Sequence, residues 1–134
     1  MSALLIIESL DLEARTLPGE LAPFVQSSWN RGDPRRRAGV HDTSGHTLEL
    51  SNADLDSTDK QISDATAFLT RYAIPCSRHI QALVSPRAEL ILATCMSPPA
   101  AAQEVTLPAV LVAAAGSLGA SVSLRTYLTD EPTV

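Results

Sequence analysis

Three side chains of metal-ligand type fall within six residues, at His41, Asp42 and His46. Imidazole and carboxylate groups bind zinc, but a stable site takes three or four ligands and a supporting shell. The spacing here matches no standard pattern, so no metal is expected and the three read as polar loop residues. Just upstream stand Trp29, Arg31, Arg35, Arg36 and Arg37. Guanidinium groups pair with phosphate or carboxylate, and an indole stacks on bases or anchors an interface. A lone Trp after Gln-Ser-Ser also suits a lid over the edge of a core. Cys76 and His79 lie three residues apart, within reach of each other on one helix, but no signature residues accompany them. There is no Gly-x-Ser-x-Gly elbow, no P-loop and no Gly-x-Gly-x-x-Gly. Asp54, Asp56 and Asp59 sit at a helix start, where carboxylates favour the positive end of the dipole. No catalytic residue and no cofactor is expected.

The elements that must hold these residues come from ordinary globular composition. The 134 residues are 45% hydrophobic and 19% charged, enough for one domain with a real core. A net charge of −5 repels nucleic acid, so any phosphate contact would be local. The same acidic surface suits a basic protein partner. Cys76 and Cys95 have no metal-like spacing and read as small buried hydrophobes. The N-terminal segment MSALLIIESL has no basic flank, so it is not read as a signal peptide. The longest later apolar run, Leu107 to Ala115, is too short to span a bilayer. A cytoplasmic location is the expectation.

Ala3 to Ile7 is a short apolar run that predicts a central strand. Leu17-Pro18-Gly19-Glu20 predicts a short helical turn reaching Val25. Turn residues flank a possible edge strand at Ala38 to His41, and Thr47 to Leu50 alternates as a strand. Thr58 to Ala73 spaces Ile62, Ala65, Leu69 and Tyr72 as one face of an amphipathic helix. Ile74-Pro75 interrupts it, and a second helix is expected from Cys76 to Val84. Glu89 to Met96 reads as a central strand, Ser97 to Glu104 as a Pro/Ala connection, and Leu107 to about Gly119 as a small-residue helix. Ser121 to Leu128 alternates as a half-buried strand, and residues 129–134 form a polar tail, expected to be flexible. One α+β domain over 1–134 follows. It is a two-layer sandwich with helices on one face of a mostly antiparallel sheet, and ferredoxin-like order is the specific expectation. Either Ala38 to His41 or Ser121 to Leu128 could pair with a second copy across a two-fold axis.

With those elements in place, the chain resembles an uncharacterised bacterial family called domain of unknown function 4279. The likeness rests on the apolar strand with its acidic residue and Leu (Leu4 to Leu12) and on the aromatic-led Arg-Gly-Asp-Pro segment (Trp29 to Pro34). It continues through the strand from Gly45 to Leu50 and the Leu-Pro helix and closing strand (Leu107 to Tyr127). This chain carries His46 where the family often has Trp. The resemblance implies an α+β fold and a bacterial cytosolic origin, and it implies no activity.

The functional expectation is a non-enzymatic protein-binding module, in its concrete form an immunity-type protein that neutralises a bacterial toxin. Its contacts would come from Trp29, Arg31, Arg35, Arg36, Arg37, His41 and His46, or from the acidic group Asp54, Asp56 and Asp59. The alternative is a small-molecule or anion-binding domain that uses the Arg31/Arg35/Arg36/Arg37 loop. Converging arginines would mark an anion site. An exposed Trp29 would mark an interface.

Overall fold

Strand β1 (Ala3–Ser9) lies at the centre of the sheet and explains its construction. Ala3, Leu5, Ile7 and Ser9 are buried on one face, while Leu4, Ile6 and Glu8 alternate onto the other and are half-buried. That two-residue period is what a pleated strand imposes. The computed structural model describes residues 3–96 and 102–128. The expected tail at 129–134, and residues 97–101 of the expected Pro/Ala connection, lie outside the described residues.

Five strands form one sheet in the order β2-β3-β1-β4-β5. They are β1, β2 (Val25–Trp29), β3 (Ser44–Ser51), β4 (Arg87–Met96) and β5 (Ala120–Leu128). All neighbours are antiparallel except β4 and β5. Three helices, α1 (Thr58–Arg71), α2 (Ala73–Gln81) and α3 (Ala109–Ser117), pack on the face that carries Leu5, Leu48, Leu90 and Leu92. The architecture is the expected α+β two-layer sandwich. Its path differs from ferredoxin-like order: three strands precede the first long helix. The segment after β1 contains Pro18 and Gly19 and forms no helix.

Helix α1 buries Gln61, Ile62, Ala65, Phe68 and Leu69, the stripe expected of a 3.6-residue period. Phe24, Phe68 and Tyr72 cluster beneath it, with ring centroids 4.8 to 5.3 Å apart. A polar seam fixes its position over the strand ends. The Ser51 hydroxyl donates to Asp64 Oδ2 at 2.7 Å, and the Thr58 hydroxyl donates to Thr94 Oγ1 at 3.0 Å. Lys60, then Ser51, holds the Asp64 carboxyl below the usual carboxylate range.

Three local expectations change. The helical turn is only Ala22–Phe24, followed at once by β2, because Val25–Trp29 pairs antiparallel with β3. The strand expected at Ala38 to His41 reduces to one bridge, Pro34 to Val40. Helix α2 starts at Ala73 and not at Cys76, because Pro75 falls in its first turn, where its missing N–H is not needed.

Candidate functional site: an arginine-tipped hairpin and a buried histidine pair

The Trp29–Ser44 segment is an ordered hairpin, and its own backbone orders it. Gly32 N–H donates to the His41 carbonyl and His41 N–H returns a bond to the Asp33 carbonyl, both at 2.8 Å. Nearer the tip, Arg35 N–H donates to the Gly39 carbonyl at 3.0 Å. Gly32 (φ +94°) and Gly39 (φ +80°) supply the left-handed backbone that this reversal requires. Asp33 Oδ2 accepts from Asn30 N–H at 2.8 Å, and Asp33 N–H donates to the Asn30 carbonyl at 3.0 Å, closing the turn between them from both sides. The hairpin is also stitched to the segment after β1. Ala14 N–H donates to Asn30 Oδ1 at 2.8 Å, and the Ser44 hydroxyl donates to the Asp11 carbonyl at 2.7 Å.

This frame separates the expected site residues into three places. Arg35, Arg36 and Arg37 are exposed at the tip. The two ion pairs among the described residues are Arg15–Asp11 and Lys60–Asp64, so no carboxylate neutralises the tip there. Arg31 is not part of this group. Its guanidinium donates to the Leu10 carbonyl at 3.0 Å, and its backbone N–H donates to Ser44 Oγ at 2.8 Å. It braces the base of the hairpin.

Trp29 and His41 form the second place. Their rings stack at 5.2 Å with planes 24° apart. Trp29 is half-buried over Gly45, its partner in the β2–β3 register. Its indole N–H is buried with no hydrogen-bond acceptor in reach. This is the lid over a sheet edge.

His46 is in the third place, on the helix-facing side of β3 and only 8% exposed. Its Nε2 lies 2.7 Å from the Arg15 carbonyl, which can only accept, so Nε2 carries the proton. Nδ1 then accepts from the Ser28 hydroxyl at 2.6 Å in the neutral ring. The polarity is that of a serine activated by a base. The cavities beside Phe24, Ile6, Glu8 and Asp56 are lined by neither Ser28 nor His46. The closest imidazole is not His41. His79 of α2, 6% exposed, stacks obliquely on His46 with centroids 5.9 Å apart. Burial, then His46 and Arg15, push the His79 imidazole below its ordinary pKa, while Asp11 opposes them. Neither His79 nor Ser28 stood out in the sequence as a partner of His46. The one available signal was the position of His79 three residues after Cys76, on the buried face of α2.

A pH dependence follows. Above an ordinary histidine pKa of about 6.5 both the folded and unfolded chains hold His79 neutral, and its contribution is constant. As pH falls below that value the unfolded chain takes up the proton first, so stability is lost until the lower folded value is passed. Denaturant midpoints should therefore drop between pH 7 and pH 5. His79→Phe should flatten that drop, and an unchanged profile in the variant would assign the dependence to other groups.

Cys76 is fully buried, and burial pushes its thiol up to about 11, so no thiolate is available near neutral pH. Among the described residues, no three His, Cys, Asp or Glu side chains cluster as a metal site. No helix of the described structure is long and apolar enough to cross a membrane. A cavity of about 520 Å³ opens where β1 ends and β4 begins. It is lined by Glu8, Asp42, Ser85 and Arg87, and by none of the hairpin arginines. Comparison with known protein families, with curated proteins and with solved structures found no match.

Proposed function

We propose that the protein is a non-enzymatic binding module that presents Arg35, Arg36 and Arg37 to an acidic surface of a protein partner. The observation that carries this reading is the contrast between the tip and its support. Three like charges stand together with no carboxylate in ion-pair contact among the described residues, on a hairpin fixed by its own backbone hydrogen bonds. Ordering long side chains at an interface costs free energy, and a backbone already in place lowers that cost. Arginine forks pair bidentately with carboxylates, which gives direction as well as attraction. In a chain of net charge −5, a localised basic tip also orients the approach of a partner. Trp29 and Arg31 support the hairpin, and the contact surface narrows to the tip.

The concrete form we favour is an immunity-type protein of the bacterial family that the sequence resembles, neutralising a toxin. A compact acidic domain that offers a rigid recognition loop and no catalytic constellation fits that role.

The test is charge reversal. Arg35→Glu with Arg36→Glu and Arg37→Glu should weaken partner capture from the native host at least tenfold. Unfolding free energy should stay within about 0.5 kcal/mol, as for other exposed positions. Wild-type association should slow steeply with added salt. Capture that is indifferent to both the reversal and salt would sink the reading, as would the absence of any partner together with the absence of an adjacent toxin gene.

A further inference from the structure

We propose that a second copy of this chain pairs antiparallel along β5, across a two-fold axis at Leu124. The two sheets then continue as one, with both α3 helices on the same side. The two edges of the sheet are built differently. Strand β2 has five residues, a register shift between Val25 and Ser27, and Pro23 just before it. Short length, irregularity and proline are the usual protections against pairing with another chain. Strand β5 has none of them. It runs nine residues in unbroken register, from Ala88 opposite Ala120 to Met96 opposite Leu128, with no Pro and no Lys. Only β4 borders it.

Its surroundings are apolar as well. In a chain that is 19% charged, Arg125 is the single charged residue between Val105 and Leu128. Helix α3 reads AVLVAAAGS, apolar all round, and helices of that kind are normally buried. Only Leu111 and Ala115 of α3 are buried, while Val110 is 55% exposed. Along β5, Leu124, Tyr127 and Leu128 are exposed, Leu128 at 76%.

Three considerations select a second copy as the occupant. Homodimer interfaces are more apolar than transient ones, and this surface lacks the charges that steer an unlike partner. Of the nine residues in α3 and nine in β5 only Leu111 and Ala115 are already buried, which leaves sixteen against the roughly twenty per side of a standard interface. The strand is also self-complementary. Full overlap of Ala120–Leu128 with its copy centres on Leu124 and sets Arg125 opposite Ser123, so no like charges meet. A two-fold axis normal to the sheet keeps both α3 helices in the same layer, where Ala109, Ala113 and Gly116 permit close approach. The β5 edge is at the far side of the sheet from β2 and the arginine hairpin. A dimer therefore presents two tips, and the proposal holds whether or not the tips bind a partner.

Light scattering on the eluting protein should give twice the 14.2 kDa chain mass. Val110→Glu with Leu128→Glu should return the monomer mass with a wild-type far-ultraviolet spectrum. Independently of that variant's folding, Leu124→Cys in a Cys95→Ala background should form an intermolecular disulfide on mild oxidation. Opposite residues of antiparallel strands approach within about 4.5 to 5.5 Å between Cα atoms, inside disulfide range. Ser27→Cys on the β2 edge should form none. A monomeric wild type would overturn the proposal. So would a dimer that survives the paired glutamates, or cross-linking through Ser27 and not through Leu124.

Discussion

Gly45→Ala should destabilise the domain by about 3 kcal/mol, a large share of the roughly 5 to 15 kcal/mol that holds a domain folded. A methyl group at this position would stand 2.5 Å from the Ile7 carbonyl oxygen, 3.3 Å from Glu8 Cα and 2.8 Å from Trp29 Cζ2. Two of these three neighbours are backbone of the central strand, which no rotamer change can move. Relief would require β3 to draw away from β1 at the Glu8–Gly45 and Ile7–His46 pairs. The backbone at Gly45 does not take the left-handed conformation, so the glycine is there for close approach and not for a turn. The thermal midpoint should fall by about 10 °C. The double variant Gly45→Ala with Trp29→Ala tests the attribution. It removes the indole contact but leaves the Ile7 carbonyl in place, so stability should not recover. Recovery in the double variant would mean that the indole alone sets the requirement. Trp29→Ala by itself should destabilise the domain, since the ring covers this stretch of sheet; a neutral outcome would restore Trp29 as a candidate contact residue.

Most of the layering was legible in the sequence because its signals are local. The i, i+3, i+4 spacing from Ile62 to Leu69 reflects a single element meeting a core, whereas Ser121 to Leu128, expected to be half-buried, forms its strand but leaves Leu124 and Leu128 exposed at the sheet edge. Strand β2 was hidden because Val25-Gln-Ser-Ser-Trp29 shows no apolar alternation and follows a segment that Leu17-Pro18-Gly19-Glu20 marks as a helical turn. What forms it is pairing with β3, and no local pattern records that. The site divided in the same way. Arg35 to Arg37 could be placed on the surface from their charge alone. The meeting of His46 with His79 joins β3 to α2 across 33 positions and depends on how α2 packs. The approach of Trp29 to Gly45 depends on register. Neighbours in sequence, His41 and His46, ended on opposite sides of the structure, because His46 continues the pleat of β3 while His41 precedes it.

Gln61→Leu should cost about 1 to 3 kcal/mol, although the new side chain is apolar, similar in volume and set in a fully buried place. The reason lies in one backbone group, the Ala93 N–H, that the β1–β4 ladder does not reach. Ala93 follows Leu92, the last residue of β4 that pairs with β1 among the described residues. Gln61 Oε1 accepts the Ala93 N–H at 2.9 Å, and its Nε2 donates to the Asp54 carbonyl at 3.0 Å. The side chain thus extends the ladder from α1 and ties the 52–57 connection to β4. Leucine fills the space and leaves the buried Ala93 N–H without an acceptor, which costs about 1 to 3 kcal/mol, while the Asp54 carbonyl keeps its bond from Ser57 N–H at 3.0 Å. Hydrogen exchange at the Ala93 amide should lose protection more than its neighbours in β4. Gln61→Glu separates bonding from packing. Its carboxylate can accept from Ala93 but cannot donate to Asp54 unless protonated, and burial raises its pKa above the ordinary value of about 4.3. The variant should therefore be most stable in acid and lose stability as pH rises through the folded value. A variant with the stability and pH profile of the wild type would show that the two bonds are dispensable and that Gln61 acts only as filling.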